Sequence, residues 1–265
     1  MLFSQISPRR IYAFFLRHLY PLRRDFDLLS DMLYWPLIDL TLWGITGMWL
    51  VKGSAQLNLV ASLLLGLLLW NVLWRSQSEI SRNLIDEIWN NNLVNLFSTP
   101  LSLAEWIIGV LLLSFIKMAV TVSVLTPLIL ALYHVNVFEL GWWIFPFFAI
   151  TTLMGWVIGF ISAGIVIRYG PKVQTIIWTL PGILLPFSAI YFPVAQLPSV
   201  LQPIAMLIPT TYVLEAMRAV LTGTAVSVAS MLTSLALVLA YMTLAIVYFV
   251  RMFEKSRELG LNRFG

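Results

Sequence analysis

The 265-residue sequence contains no cysteine, only two histidines (His18 and His134), and charged residues at just 11%. Without cysteine there is no disulfide framework and no thiolate to act as nucleophile or metal ligand. Two isolated histidines form no metal-binding cluster. Charge is scarce beside the roughly 25% of a soluble domain, and the 60% apolar content exceeds its usual 45–50% or so. Twelve acidic and 16 basic side chains, clustered as they are, would leave much of a soluble surface apolar. Catalytic and nucleotide signatures are missing too. There is no G-x-x-x-x-G-K-[ST] phosphate loop, no H-E-x-x-H, no G-x-S-x-G and no Ser/His/Asp set. No arginine-rich voltage-sensing helix or potassium-channel filter is present. Intramembrane carboxylates are sparse and no inverted repeat is visible, which weakens a secondary-carrier reading. Soluble enzymes, disordered chains and nucleic-acid partners are thereby set aside.

What remains, at a mean hydropathy of +0.90, is a polytopic all-α membrane protein. A helix needs about 20 mostly apolar residues to cross the hydrocarbon core. Six stretches qualify as transmembrane helices: 32–51, 57–74, 106–133, 142–167, 173–192 and 226–250. The fifth carries Pro181, Gly182 and Pro186. The expected layout is one transmembrane domain over 1–265. It comprises an N-terminal interfacial helix (1–31), spans 1–5 (32–192) with a loop at 75–105, an outer segment (193–225), span 6 (226–250) and a tail (251–265).

Basic residues orient it. Thirteen of the 16 lie in the N-terminal segment, the loops after spans 2 and 4, and the tail. Lys52 and Arg218 are on the other side and Lys117 lies within span 3. The positive-inside rule puts both termini in the cytoplasm, for a multi-pass protein of the cytoplasmic (inner) membrane. Arg17 and His18 interrupt the one apolar run that could serve as a cleavable signal peptide.

Three segments are not plain spans. In 9–31, Phe15, Leu19, Leu22, Phe26, Leu29 and Leu33 recur on one helical face. Arg10, Arg17, Arg24 and Asp31 recur every seven residues on another. That pattern suits an amphipathic helix in the membrane interface, or a solvated helix that enforces topology; Pro21 kinks or divides it. In 75–105, Glu79, Asn83, Asp86 and Asn90 share one face of a short amphipathic helix, and Asn90-Asn91-Asn92 marks a turn. In 193–225, proline breaks an apolar run: six of the 13 prolines fall between 181 and 209. Two short helices, near 197–208 and 210–222, are expected to dip into the membrane and return, packed against protein. Gly223 is a fitting stop for the second.

Charges within spans are costly, about 2.5–3.5 kcal/mol each, and face protein or water. Asp39 and Lys117 have similar expected depths, so they either pair or line a pathway. Trp43 and Trp178 are further path candidates, with packing as the plainer role. Trp35, Trp49, Trp74, Trp106, Trp142 and Trp143 fall near span ends, as an interfacial belt. Glu215 and Arg218 suit an i, i+3 pair. Gly155-x-x-x-Gly159 permits close helix approach, within the chain or across a dimer.

Three stretches, in order, resemble the membrane subunit of type-2 ABC exporters, the ABC-2 permeases. Asn95-Leu-Phe-Ser-Thr-Pro-Leu-Ser102 with Glu105 looks like the family's L-x-x-T-P-L-S before the third helix. Tyr191-Phe-Pro-Val-Ala-Gln-Leu-Pro198 is similar to its F-P-x-x-x-L-P. Ile208-Pro-Thr-Thr-Tyr-Val-Leu-Glu-Ala-Met-Arg218 resembles N-P-x-T-Y-x-x-E-x-x-R, with Ile208 in place of Asn. The resemblance implies a non-catalytic permease without cofactors of its own. ATP and Mg would be bound by two copies of a separate ATP-binding subunit. A second copy of this chain, or a homologous permease, would complete the pathway within membrane lipids. It also implies a coupling surface at Glu79, Asn83, Asp86, Glu87, Asn90, Asn91, Thr99 and Pro100, with 168–172 as a smaller contact. An outer gate would involve Pro193, Pro198, Tyr212, Glu215 and Arg218. The expected cargo is an amphipathic, drug-like or lipid-linked molecule, or alternatively a polysaccharide or lipo-oligosaccharide. An ATP-independent carrier or membrane scaffold is the reading from another class.

Overall fold

A computed structural model describes residues 6–22, 26–50 and 55–260; Arg23, Arg24, Lys52 and the side chain of Asp31 lie outside the described residues. Ten α-helices are described: α1 (Pro8–Leu22), α2 (Phe26–Leu50), α3 (Ala55–Trp89), α4 (Leu93–Ser98), α5 (Leu103–Tyr133), α6 (Ile144–Tyr169), α7 (Ile176–Leu184), α8 (Gln202–Ala205), α9 (Pro209–Leu221) and α10 (Val228–Glu258). No strand occurs among the described residues.

Four helical segments are long and apolar enough to cross a membrane: Asn58–Trp89, Leu103–Tyr133, Val137–Tyr169 and Val228–Glu258. The other two expected spans differ for separate reasons. Over 32–51, α2 has 25 residues, but Asp39, Tyr34 and its tryptophans and glycines dilute its hydropathy. Over 173–192, α7 has nine residues and passes into a 3-10 turn at Leu185–Phe187 that contains Pro186. Proline lacks the amide hydrogen that would continue the ladder.

The short amphipathic helix expected in the loop from residue 75 is present as a direct continuation of span 2. The 35-residue α3 runs unbroken to Trp89 and is about 52 Å long at 1.5 Å per residue, well beyond a hydrocarbon core of about 30 Å. It stops at the asparagine turn, where Asn91 has φ 50°. The 31-residue α5 starts at Ser102, whose side chain accepts from the Glu105 amide while the Glu105 carboxylate accepts from the Ser102 amide. This is a capping box, and it fixes where the third helix begins. In 193–225, α8 has only four residues and α9 has 13. The chain turns at Gly223, with φ 70°.

The packing centre is α6. It lies between α3 and α10, while α5 and α2 pack on α3, α1 packs on α5, and α9 packs on α10 and α6. Small residues create the α3–α6 contact. A Cβ built at Gly155 would meet the Leu73 carbonyl oxygen at 2.5 Å, and one at Gly159 the Gln77 carbonyl at 2.9 Å. The glycine stripe is therefore spent inside the chain. Trp106, expected in the interfacial belt, is fully enclosed with its ring 5.5 Å from that of Phe249. Trp35, Trp49 and Trp142 are exposed, as a belt requires. Gly155→Ala forces a backbone carbonyl aside and is expected to cost about 1–3 kcal/mol, read as a lower melting temperature in detergent. Gly182→Ala, where an added Cβ meets nothing within 4 Å, is the neutral control.

Candidate functional site: a charged helix end and a proline-broken segment

One end of the bundle gathers α1, the C-terminal end of α3, α4, the N-terminal end of α5, and the C-terminal ends of α6 and α10. Trp89 donates through Nε1 to Gln174 Oε1 at 3.0 Å, joining the end of α3 to the turn after α6. Ser256 Oγ donates to the Ile167 carbonyl at 2.7 Å, and Phe97 and Phe253 meet edge-on. The two loops expected to contact an ATP-binding subunit are thus neighbours.

Three ion pairs organise this end, one for each pair among α1, α3 and α5. Arg10 Nη2 is 2.7 Å from Glu105 Oε1, joining α1 to α5. Arg17 Nη2 is 2.6 Å from Glu87 Oε1, joining α1 to α3. Lys117 Nζ donates to both Glu79 oxygens at 2.7 Å, joining α5 to α3. The acids are the buried partners: the side chains of Glu105, Glu87 and Glu79 are 0%, 5% and 8% exposed. Glu105 also accepts from the amides of Ser7 and Ser102. Its carboxylate raises the Arg10 pKa, chiefly through their hydrogen bond. Burial lowers the His18 pKa, so the ring is neutral at pH 7, and its Nε2, 3.8 Å from Glu87, adds no ion pair there. Between the two α1 cations, Phe14 is buried and its ring occupies the notch at Gly109 of α5.

This arrangement revises several expectations. Lys117 pairs with Glu79 rather than Asp39, because α3 continues as helix past residue 74 and carries Glu79 alongside α5. Asp39 is half-buried and forms no ion pair among the described residues. Glu79, Asn83 and Glu87 are buried within the chain and offer no surface to a partner. Exposed at the tip are Asp86, Trp89, Asn90, Asn91, Val94, Asn95, Thr99 and Pro100. The Trp43 and Tyr191 rings meet at a tilt with centroids 4.6 Å apart, and the Arg82 guanidinium lies 5.4 Å over the Trp178 ring.

At the proline-broken segment, the expected Glu215–Arg218 pair is formed at 3.1 Å. It does more than join neighbouring turns of α9. Arg218 donates to Ser62 Oγ of α3 at 3.1 Å, to the Ile190 carbonyl at 3.1 Å, and to the Ala189 carbonyl. Glu215 accepts from the Val194 amide at 2.9 Å, and the Tyr212 hydroxyl donates to the Met206 carbonyl at 2.9 Å. Pro193 caps a 3-10 turn at Val194–Gln196, and Pro198 is exposed. Arg218 thus pins irregular backbone to α3 and satisfies carbonyls that no regular ladder reaches.

A model of the ABC-2 type transporter family matches residues 24–222. The chain belongs to the ABC-2 type transporter family. No curated protein matches it. It is a multi-pass membrane permease, and an ABC-2 membrane domain works with an ATP-binding partner. The matched region runs from the start of α2 to the end of α9 and takes in the acids of all three ion pairs, Glu79, Glu87 and Glu105, together with Lys117 and the Arg218 hub.

Within this ABC-2 domain, an apolar groove of about 930 Å³ lies between α5 and α6, lined by Phe115, Val122, Phe138, Phe145 and Trp156 among others. Asp39, Lys117, Trp43 and Trp178 do not line it. Sequence reasoning missed Arg10 and Arg17 as partners of buried acids. The capping box at Ser102 and Glu105 was the available signal that Glu105 lies at a helix start. Lys117→Met strands a buried carboxylate and is expected to destabilise by about 3 kcal/mol or more in thermal melts. Adding Glu79→Gln removes the stranded charge and restores most of that loss.

Proposed function

We propose that this chain is the permease half of an ATP-driven exporter. It crosses the inner membrane six times, with both termini in the cytoplasm. Two copies, or one copy and a homologous permease, enclose the pathway as a single-domain subunit each. Two ATP-binding subunits, which hold the ATP and Mg, dock on the basic end. The observation that carries this reading is the tip of α3 and α4. It presents Asp86, Trp89, Asn90 and Asn91 to solvent, on a helix braced by ion pairs to α1 and α5.

Mechanically, a braced helix moves as a unit when its end is pushed. Closure of the ATP-binding subunits presses on the tip. Because α3 continues without a break into the bundle, the push reaches α6 through the glycine contact and α9 through Arg218. Movement of the segment 193–222, with Pro193, Pro198, Tyr212, Glu215 and Arg218, opens the outer side.

An amphipathic, drug-like or lipid-linked cargo is supported by the nearly wholly apolar groove between α5 and α6. The second reading, a polysaccharide or lipo-oligosaccharide, is favoured by the exposed rings of Tyr34, Trp35 and Trp49 on α2, on which sugars could stack. Quenching of these tryptophans by an oligosaccharide, but not by a hydrophobic dye, would favour the second.

Tagged chain purified from its own membranes is expected to bring down an ATP-binding protein with ATPase activity. Asp86→Lys should weaken that association about tenfold, the size of effect of one interface contact, without changing the melting temperature. Recovery of no ATP-binding protein, with transport continuing in the absence of ATP, would overturn the reading.

A further inference from the structure

A small pocket of about 10 Å³ lies where α3, α6 and α9 meet, lined by Leu69, Trp70, Leu73, Thr151, Thr210 and Leu214. The walls are apolar apart from two threonines on facing elements, Thr151 of α6 and Thr210 in the first turn of α9. Both are deeply buried, at 2% and 4% exposure. Neither Oγ1 has a hydrogen-bond partner in the protein.

That is unusual for threonine in this chain. Thr121, Thr179, Thr222, Thr233 and Thr243 all sit in or at the end of helices, and each donates to the carbonyl four residues back. Such back-bonding is the ordinary way a helical threonine satisfies its hydroxyl. Thr151 forgoes it, and Thr210, in the first turn of α9, has no carbonyl of its own helix four residues back; both border the same cavity. Burying one unsatisfied hydroxyl is costly, and two beside one another are harder to explain by chance packing. The volume matches about one water molecule, and such a water needs two or more polar partners.

We propose that this cavity is a binding site for a single structural water that bridges Thr151 Oγ1 and Thr210 Oγ1, and so ties the start of α9 to the middle of α6. The tie complements the Arg218 hub. Arg218 fixes the later part of α9 to α3 and to the Ile190 carbonyl. Ile208, at the N-cap of α9, supplies no side-chain acceptor, and the direct polar ties of the first turn run elsewhere: Ser234 Oγ of α10 donates to the Pro209 carbonyl at 2.7 Å and Thr211 Oγ1 to the Phe187 carbonyl. A water bridge holds two helices in register yet breaks and re-forms with a small shift. The inference rests on packing and hydrogen bonding alone, independent of the transport reading.

The test uses the full chain in lipid nanodiscs, comparing Thr151→Val, Thr210→Val and the double variant. Valine keeps the shape and removes the hydroxyl. With a resident water, each single change strips a partner from it, so each melting temperature falls by roughly 2–4 °C. The double variant then falls by clearly less than the sum, because the water is already lost. If the hydroxyls are dry and unpaired, removing either relieves a buried polar group: each valine leaves the melting temperature unchanged or higher, and the effects add. That result would overturn the proposal. Should a valine variant fail to fold, a density map that resolves ordered solvent decides. A peak within hydrogen-bonding distance of both Oγ1 atoms supports the water, and a flat cavity refutes it.

Discussion

Three buried carboxylates govern the lower half of this permease. Glu79, Glu87 and Glu105 are enclosed by protein, and an enclosed carboxylate without a cation costs several kcal/mol. Each has one: Lys117, Arg17 and Arg10. Because the partners sit on different helices, neutralising the acids fixes α1, α3 and α5 to one another. The N-terminal helix is thereby a part of the bundle, wedged by Phe14 against Gly109. Its amphipathic pattern serves two surfaces: the cations and Phe14 meet α3 and α5, while Tyr12 and Tyr20 remain exposed.

The same constraint explains how the polar half of α3 is held as helix. The apolar first half of α3 packs in the bundle core. Its second half carries Ser76, Gln77, Ser78, Glu79, Ser81, Asn83 and Glu87, all buried. A polar helix of this kind is held in place by partners: Ser81 Oγ donates to the Gly159 carbonyl, Gln77 donates to the Ile177 carbonyl, and Lys117 binds Glu79. These contacts hold the polar half of α3 as helix down to Trp89. At the opposite end, Arg218 does comparable work for backbone that prolines prevent from becoming regular helix.

Much of this was legible in the sequence. Helical class, the long apolar segments, the asparagine turn at 90–92, the stop at Gly223 and the Glu215–Arg218 pair follow from composition and local chemistry. The motifs around Thr99-Pro100 and Pro209 pointed to the family that the chain proves to match. Hidden features were those that depend on which distant residues meet. Hydropathy ends a span where polar residues begin, so it cut α3 at 74, although its polar half is protein-supported helix to Trp89. Depth estimates set Lys117 beside Asp39, as a pair or as pathway residues, because the true partner, Glu79, reads as part of a short amphipathic helix in the loop after span 2. The glycine stripe of α6 was readable as a contact, while its recipient, the backbone of α3, was not.

Docking of α1 against α5 is the most directly testable part of the account. The absence of cysteine makes the chain a clean background for cross-linking. A Cβ built at Gly109 would overlap the Phe14 ring, whose Cγ, bonded directly to the Phe14 Cβ, is 3.4 Å from it, so cysteines at 14 and 109 lie within disulfide reach. In native membranes under mild oxidation, Phe14→Cys with Gly109→Cys should cross-link in high yield, whereas either single variant should not. If the pair stays uncrosslinked and both cysteines react freely with a membrane-permeant maleimide, α1 lies apart in the interface and the bracing of α3 is wrong.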